Sequence, residues 1–310
     1  MFTFIFKLRN SITMSRKFLF MLILTVMMLY FCIILFMLHP LQTRSYVGNI
    51  SFRSVPNVDW CKELKFRSPP SSTVTALVSY PGSGNTWLRY LLQQVTGLMT
   101  GSIYMDHGLR LHGFPGENVT DGSVLVVKTH EMPPIDHNKF HSAILLIRNP
   151  RDAILADFNR LHKGHIGTAP KSAFTRKTHE KKMLVYVSMQ LTNWEALHRL
   201  WLTKFKGPMH IVFYEMLVRD HYTLDCLRCV RASIVRLGRP CFDSFVPVST
   251  QIDMACAIYH REGIYRRRKK LKDFDPFTTV MYKALFEVRT RVLNFNLKGR
   301  KVPDPISSTV

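Results

Sequence analysis

The sequence is short of acidic residues. Asp and Glu number 21 among 310 residues, against 43 Lys and Arg, which gives a formal net charge of +22. This charge favours anionic partners, such as phosphorylated or sulfated cofactors, acidic glycans, lipid headgroups or nucleic acid, and does not choose among them. Internal repeats and long low-complexity tracts are also lacking. The composition therefore gives no sign of a repeat array and allows one large buried domain.

The lysine of the nucleotide-triphosphatase P-loop is missing. The stretch Ser79–Trp87, SYPGSGNTW, follows an apolar run and opens a helical pattern, as a phosphate-binding loop does. In the P-loop motif the second glycine precedes Lys and then Ser or Thr. Here Gly84 precedes Asn85. The sequence therefore argues against a kinase or an ATPase of that type, and a tight strand-to-helix turn is the alternative to an anion site.

Cysteine is scarce. Cys32 lies in an apolar run, and the other five residues are Cys61, Cys226, Cys229, Cys241 and Cys256. Disulfide bonds among these five are expected in an oxidising compartment, where an odd count leaves one cysteine over. A zinc site is the alternative, but the spacing lacks the second close pair or the histidines that such sites use. We expect no metal.

One long hydrophobic run is present near the N-terminus. Residues 18–38 contain no charged residue, and basic residues precede them. As a helix this run would span a hydrocarbon core of about 30 Å, with the basic flank in the cytosol. A cleaved signal peptide is the alternative, but Phe36–Gln42 offers no small-residue cleavage site. We predict a cytoplasmic tail at residues 1–17, a transmembrane signal anchor at 18–38, a luminal stem at 39–72 and a luminal domain at 73–310.

Two sequons agree with a luminal domain. Asn49-Ile50-Ser51 and Asn118-Val119-Thr120 both match the acceptor pattern for N-glycosylation. We expect Asn49 and Asn118 to carry glycans if the chain enters the secretory pathway.

The domain shows an alternation of strand and helix patterns. Short Val- and Ile-rich runs begin at Val74, Ser123, Ser142 and Met209 and are predicted to be buried strands. Helices are predicted at residues 85–96, 151–162, 178–205 and 278–293, and the aromatic stripe of the third is typical of core packing. This order predicts an α/β fold, a P-loop-like parallel sheet with helices on both faces.

Polar residues follow three of the predicted strands. Gly82 and Gly84 open a loop after the first, Lys128 and His130 end the second, and Arg148 ends the third. Anions bind at this edge of open α/β sheets, where a helix N-terminus adds positive partial charge. The three segments therefore predict one anion-binding site.

The segments YPGSGNTW, KTH and RNPRDA together resemble the sulfotransferases that use 3′-phosphoadenosine 5′-phosphosulfate (PAPS) as donor. They are most similar to the membrane-bound WSCD-type branch, although no WSC domain is expected in this chain. The resemblance extends over Ala76 to Thr278 and implies the sulfotransferase fold.

The resemblance implies residues that bind the donor. Ser83, Gly84, Asn85 and Thr86 would bind the 5′-phosphosulfate, and Trp87 would stack on the adenine. The residues implied at the 3′-phosphate and near the adenine are Arg148, Arg261, Gly263 and Tyr214.

The resemblance also implies the catalytic residues. His130 would be the base and Lys128 would hold the transferring sulfuryl group. Glu131 is the alternative base, and neighbouring strand residues point to opposite faces, so only one of the pair should face the donor. We favour His130, whose ordinary pKa lies near neutral pH.

The sequence departs from the family pattern at three positions. Many soluble members have Lys where Gly82 stands, and Lys128 or Arg89 could supply that charge instead. Ala156 replaces a phosphate-binding Ser. The late motif carries Glu262 in place of Lys, with Arg266, Arg267 and Arg268 close behind.

These observations predict a single-pass type II Golgi membrane protein. It would transfer sulfate from PAPS to a hydroxyl of a glycan or glycoprotein, without a metal and without nucleic acid as a partner. A catalytically inactive relative that binds nucleotide or glycan is one alternative. A basic membrane-tethered interaction protein, which uses the loop only as a turn, is the other.

Overall fold

The computed structural model of the chain describes residues 16–38, 58–133, 139–164, 167–175, 177–218 and 274–297. It divides into two compact units, Met1–Ser54 and Val55–Val310. Several predicted features lie outside the described residues: Asn49, Arg261, Gly263, the basic run that begins at Arg266, and Cys226, Cys229, Cys241 and Cys256.

The N-terminal unit contains one helix, α1, over Arg16–Leu38. Its large apolar side chains between Leu19 and Phe31 are 45–65% exposed. A helix thus covers residues 18–38, where the sequence predicts the anchor. None of the helices has, among its described residues, the length and apolarity that crossing a membrane requires. The membrane span stays a prediction.

The second unit contains a five-stranded parallel sheet in the order β2-β3-β1-β4-β5. The strands β1 to β5 are Thr75–Ser79, Gly101–Ser102, Val127–Thr129, Ser142–Ile147 and Met209–Phe213. Every residue of β1 and of β4 is buried, as expected for central strands covered on both faces. The predicted parallel sheet is confirmed.

Seven helices of the second unit are described. They are α2 Asn85–Thr96, α3 His107–Leu111, α4 Pro150–Lys163, α5 Ser172–Thr175, α6 Lys177–Lys204, α7 Tyr214–Val218 and α8 Thr279–Leu297. The strand predicted from Ser123 begins only at Val127, and a turn precedes it, in which the Ser123 backbone N–H donates to the Asp121 Oδ1 at 2.9 Å. The sequence pattern also missed β2, which has only two residues.

The core lies in two clusters on opposite faces of the sheet. Ala76 and Val78 of β1 belong to one cluster and Leu77 to the other, which is the alternation that a strand imposes. The α6 aromatics Trp194 and Trp201 are 1% and 0% exposed in the first cluster. The interpretation of that stripe as core is confirmed.

Candidate active site

The sheet order places the predicted segments side by side. β1 pairs with β3 on one side and with β4 on the other, all parallel. The loop after β1 therefore lies between His130, which follows β3, and Arg148, which follows β4. The carboxyl-terminal edge brings together the three segments that the sequence predicts to meet.

The loop after β1 packs tightly against two other elements. Gly82 has φ +79°, and a Cβ built there would lie 2.2 Å from the Ala153 carbonyl oxygen of α4. Gly84 has φ +91°, and its Cβ would lie 2.6 Å from the Tyr214 ring. Both positions combine a left-handed backbone with a close approach, so glycine is required. A lysine at position 82 would therefore have no room in this structure.

Two buried polar atoms, one in the loop and one in the first turn of α2, have no hydrogen-bond partner in the part of the chain that the structure describes. The Ser83 Oγ and the Asn85 Oδ1 are buried, and neither has a hydrogen-bond partner among the described residues. The Asn85 Nδ2 donates to the Leu77 carbonyl oxygen at 3.0 Å and to the Ser79 Oγ at 3.1 Å. Gly84 caps α2 without a side-chain acceptor. The helix N-terminus therefore presents its positive partial charge beside buried polar groups, an arrangement that fits an anion.

Arg148 lies over this loop. Its Nη1 donates to the Gly82 carbonyl oxygen at 2.8 Å, and its guanidinium lies 4.1 Å from the Tyr214 ring centroid. Its Nε is buried without a partner among the described residues. One part of the guanidinium thus holds the loop, and another part remains to bind an anion.

Trp87 and Tyr214 form an aromatic pair behind the loop. Their rings meet edge to face with centroids 5.6 Å apart. Trp87 is only 2% exposed, so its neighbours would have to shift before an adenine ring could stack on it. Its contact with adenine stays a prediction, as does that of Tyr214.

The turn between β4 and α4 is held from two sides. The Asn149 backbone N–H donates to the Glu215 Oε1 at 2.8 Å, and the Arg151 Nη2 donates to the Asp275 carboxylate at 3.1 Å. Burial raises the pKa of Glu215. Sequence reasoning missed Glu215, and its place directly after Tyr214 at the end of β5 was the signal that could have found it.

His130 is held with one ring nitrogen against the end of β1. Its Nδ1 lies 2.7 Å from the Ser79 carbonyl oxygen. Because a carbonyl only accepts, Nδ1 carries the proton and Nε2 carries the basic lone pair. Burial, and then the Lys128 cation, lower the pKa of His130 to about 3. The ring is therefore neutral at physiological pH.

Lys128 lies on β3, two residues before this histidine, and is 7% exposed. Burial, and then the Arg89 cation, lower its pKa to about 8. Its Nζ lies 5.7 Å from the centroid of the Tyr104 ring. A buried ammonium beside a neutral imidazole is suited to stabilise negative charge that develops near the base.

Arg89 lowers the pKa of Lys128 and of His130 through its charge, but its hydrogen bonds are made with residues outside the loop, which argues against its replacing the missing loop lysine. Its Nη1 lies 2.6 Å from the Glu117 Oε1, and both side chains are 0% exposed. Its Nε and Nη2 donate to the hydroxyl and carbonyl oxygens of Thr100. The guanidinium is committed to this buried network. Of the two candidates, Lys128 is the one placed to act.

Other predicted residues differ in their exposure and in their contacts. The Glu131 side chain is exposed, and its carbonyl oxygen accepts from the Trp201 Nε1 at 2.9 Å. Ala156 lies on α4, half-buried. Asn118 is exposed with φ 67°, and Cys61 is disulfide-bonded. Among the residues that the structure describes, no three His, Cys, Asp or Glu side chains cluster as metal ligands do.

The fold is that of an α/β protein with a parallel sheet, and the loop after β1 lies at the switch point where such sheets bind ligands. No known family model matches the chain. A WSCD family member of Aedes aegypti is 41% identical over 261 residues, which cover 76% of this chain and 78% of that protein. A WSCD family member of Drosophila melanogaster is 46% identical over 230 residues, covering 74% and 68%. The chain belongs to the WSCD family.

Among solved structures, mouse sulfotransferase SULT7A1 complexed with PAP is similar to this chain with a TM-score of 0.46 at 16% identity. The alignment covers 72% of this chain and 85% of that one.

Proposed function

We propose that the protein is a PAPS-dependent sulfotransferase that transfers a sulfuryl group to a hydroxyl of a glycan or glycoprotein. The observation that carries the proposal is the arrangement at the sheet edge. The Ser83 hydroxyl has no hydrogen-bond partner among the described residues, and it lies with the N-terminus of α2 and the Arg148 guanidinium in segments that share one sheet edge with the segment of His130 and Lys128. PAPS, when bound, supplies the sulfuryl group and leaves as 3′-phosphoadenosine 5′-phosphate (PAP).

The groups of the loop and of β4 fit the anionic ends of this donor. Ser83 to Thr86 would bind the 5′-phosphosulfate with hydroxyl groups and with the positive end of α2. The buried Arg148 Nε would bind the 3′-phosphate, for which a guanidinium is well shaped. Arg261 and Gly263, implied at the same phosphate, remain part of the proposal.

His130 would take the proton of the acceptor hydroxyl at Nε2. Its Nδ1–H stays bonded to the Ser79 carbonyl oxygen, which orients the ring and stabilises the imidazolium that forms. Anionic groups bound nearby raise a histidine pKa, so the base becomes stronger when the donor is present. Such a base contributes about 10²–10⁴-fold. Lys128 would stabilise charge on the transferring group, as in phosphoryl transfer.

A glycan acceptor and a luminal, Golgi-type location are supported by indirect observations. Cys61 forms a disulfide bond, which is typical of oxidising compartments. Asn118 of the second sequon has an exposed side chain. The apolar helix α1 follows a basic N-terminal segment, as in a type II anchor.

The test measures transfer and donor binding separately. The full chain, purified from a secretory host, is incubated with ³⁵S-labelled PAPS and a panel of glycans and glycoproteins, beside His130→Ala and Glu131→Gln. We expect label in a glycan, a loss of about 10²-fold or more in His130→Ala, and little change in Glu131→Gln.

Donor binding is measured as thermal stabilisation by PAP. We expect Arg148→Gln to weaken PAP binding by at least about tenfold, since a charge-assisted hydrogen bond is lost. Stabilisation by PAP without transfer to any acceptor would favour the inactive, nucleotide-binding relative. Neither transfer nor stabilisation would reject the proposal.

A further inference from the structure

Tyr104 contacts both residues to which the proposed function gives chemistry. Its ring stacks on the His130 imidazole, with centroids 5.7 Å apart and an interplanar angle of 24°. Its hydroxyl accepts the backbone N–H of His130 at 3.0 Å. The Nζ of Lys128 lies 5.7 Å from the centre of the same ring. The Tyr104 side chain therefore lies next to both His130, the proposed base, and the Lys128 ammonium.

The backbone of Tyr104 is fixed on both sides. Its N–H donates to the Ser102 Oγ of β2 at 3.0 Å, and its carbonyl oxygen accepts the Asn118 N–H at 3.0 Å. Burial raises the pKa of Tyr104, so the phenol keeps its proton. Tyr104 is thus a neutral, well-held group rather than a mobile loop side chain.

The buried Arg89–Glu117 pair extends this support to the phosphate loop. Glu117 binds Arg89 of α2 through Oε1, and its Oε2 accepts the Asp106 N–H at 3.3 Å. Asp106 lies two residues beyond Tyr104, and α2 begins at the loop. The pair therefore connects the helix behind the anion site to the segment that carries Tyr104.

We propose that Tyr104 is a positioning residue that holds the His130 ring and the Lys128 ammonium in register for sulfuryl transfer. The inference rests on the proposed function. The stacked ring fixes the plane of the imidazole, whose Nδ1–H is already bonded to Ser79, so that Nε2 keeps one direction. The phenolic oxygen accepts the backbone N–H of His130, which has no partner on a neighbouring strand because β3 ends before it. The ring also keeps water from both groups.

Removing the ring has a definite electrostatic consequence. Burial is the main cause of the low pKa of His130, and the charged groups that act on it are the cations of Lys128, Arg160 and Arg89. Without the Tyr104 ring, water reaches the imidazole and the charged form is better solvated. The pKa of His130 then rises, and activity that needs the neutral base is lost at a higher pH.

The experiment compares Tyr104→Leu, Tyr104→Phe and the control Tyr90→Phe in the full chain. We expect Tyr104→Leu to lower kcat by about 10- to 100-fold, since misplacing reacting groups by about 1 Å has effects of this size. The KM for PAPS should change by less than about threefold, because the donor contacts remain. Tyr104→Phe keeps the ring and should recover most of kcat, and Tyr90→Phe should behave as wild type.

A second readout does not need turnover. The imidazole titration of His130 is followed by NMR on histidine-labelled protein and assigned with His130→Gln. We expect the pKa in Tyr104→Leu to lie at least about one unit above that of wild type and of Tyr104→Phe. Unchanged kcat in an active protein, or an unchanged titration, overturns the inference. If wild type transfers no sulfate, the proposed function fails, and the titration alone decides whether Tyr104 positions His130.

Discussion

The close packing of Gly82 allows a quantitative prediction for Gly82→Ala. A Cβ at this position would lie 2.2 Å from the Ala153 carbonyl oxygen and 2.7 Å from the Asp157 amide nitrogen, with φ at +79°. The left-handed conformation costs roughly 1–2 kcal/mol for a non-glycine residue. The overlap with the backbone of α4 adds roughly 1–3 kcal/mol, because the helix or the loop must shift.

The expected loss of unfolding free energy is therefore roughly 2–5 kcal/mol, which corresponds to a Tm lower by roughly 4–20 °C for a domain of this size. Thermal unfolding of the full chain measures this loss. PAP binding should weaken as well, since the displaced Gly82 carbonyl oxygen is the acceptor for Arg148.

The matched control is Gly108→Ala in α3. A Cβ there would meet only the Asp106 Oδ1, at 3.2 Å, and alanine is favoured over glycine in a helix by roughly 0.5–1 kcal/mol. We expect a Tm at or slightly above that of wild type. A Gly82→Ala protein whose Tm lies within about 1 °C of wild type would refute the argument from close packing.

Two further predictions concern buried charges. Burial lowers the pKa of Lys128 to about 8 from an ordinary 10.5. Between these two pH values the unfolded chain binds more protons than the folded chain, so the free energy of unfolding rises with pH. Lys128→Met should remove that rise in urea denaturation at about pH 7 and about pH 10, and a rise of unchanged size would contradict the assignment. Glu117→Gln leaves the Arg89 cation buried without a carboxylate and should cost about 3–5 kcal/mol, whereas Glu195→Gln, whose partner Arg291 is 52% exposed, should cost less than about 1 kcal/mol. Equal losses of unfolding free energy in Glu117→Gln and Glu195→Gln would contradict the argument that burial makes the Arg89–Glu117 pair the more costly one to break.

The central strands and the meeting of the three segments could be predicted from sequence. β1, β4 and β5 are rich in apolar residues, and a parallel sheet has one carboxyl-terminal edge. Because the carboxyl ends of parallel strands lie at one edge, the meeting of the three segments could be predicted without knowing any side-chain contact. The edge strand β2 could not be found in this way, because two residues carry no periodicity.

The role of individual side chains was harder to predict where it depends on distant partners. Arg89 was expected to supply charge to the site, but Glu117 and Thr100, distant in sequence, bind its guanidinium in the core. Tyr104 was missed because no motif marks it, and only the sheet order brings it beside His130. Residue type and spacing indicate which groups can do chemistry, whereas packing decides which groups face one another.

The two bonds that hold the chain after β4 come from residues that are far apart in the sequence. Glu215 accepts the backbone N–H of Asn149, and the Asp275 carboxylate accepts from the Arg151 guanidinium. The segment that follows Arg148 is therefore held by two distant parts of the chain rather than by its local sequence alone. Substitutions at Glu215 or Asp275, which are not proposed to touch the donor, should thus be able to move Arg148 and to alter anion binding from a distance.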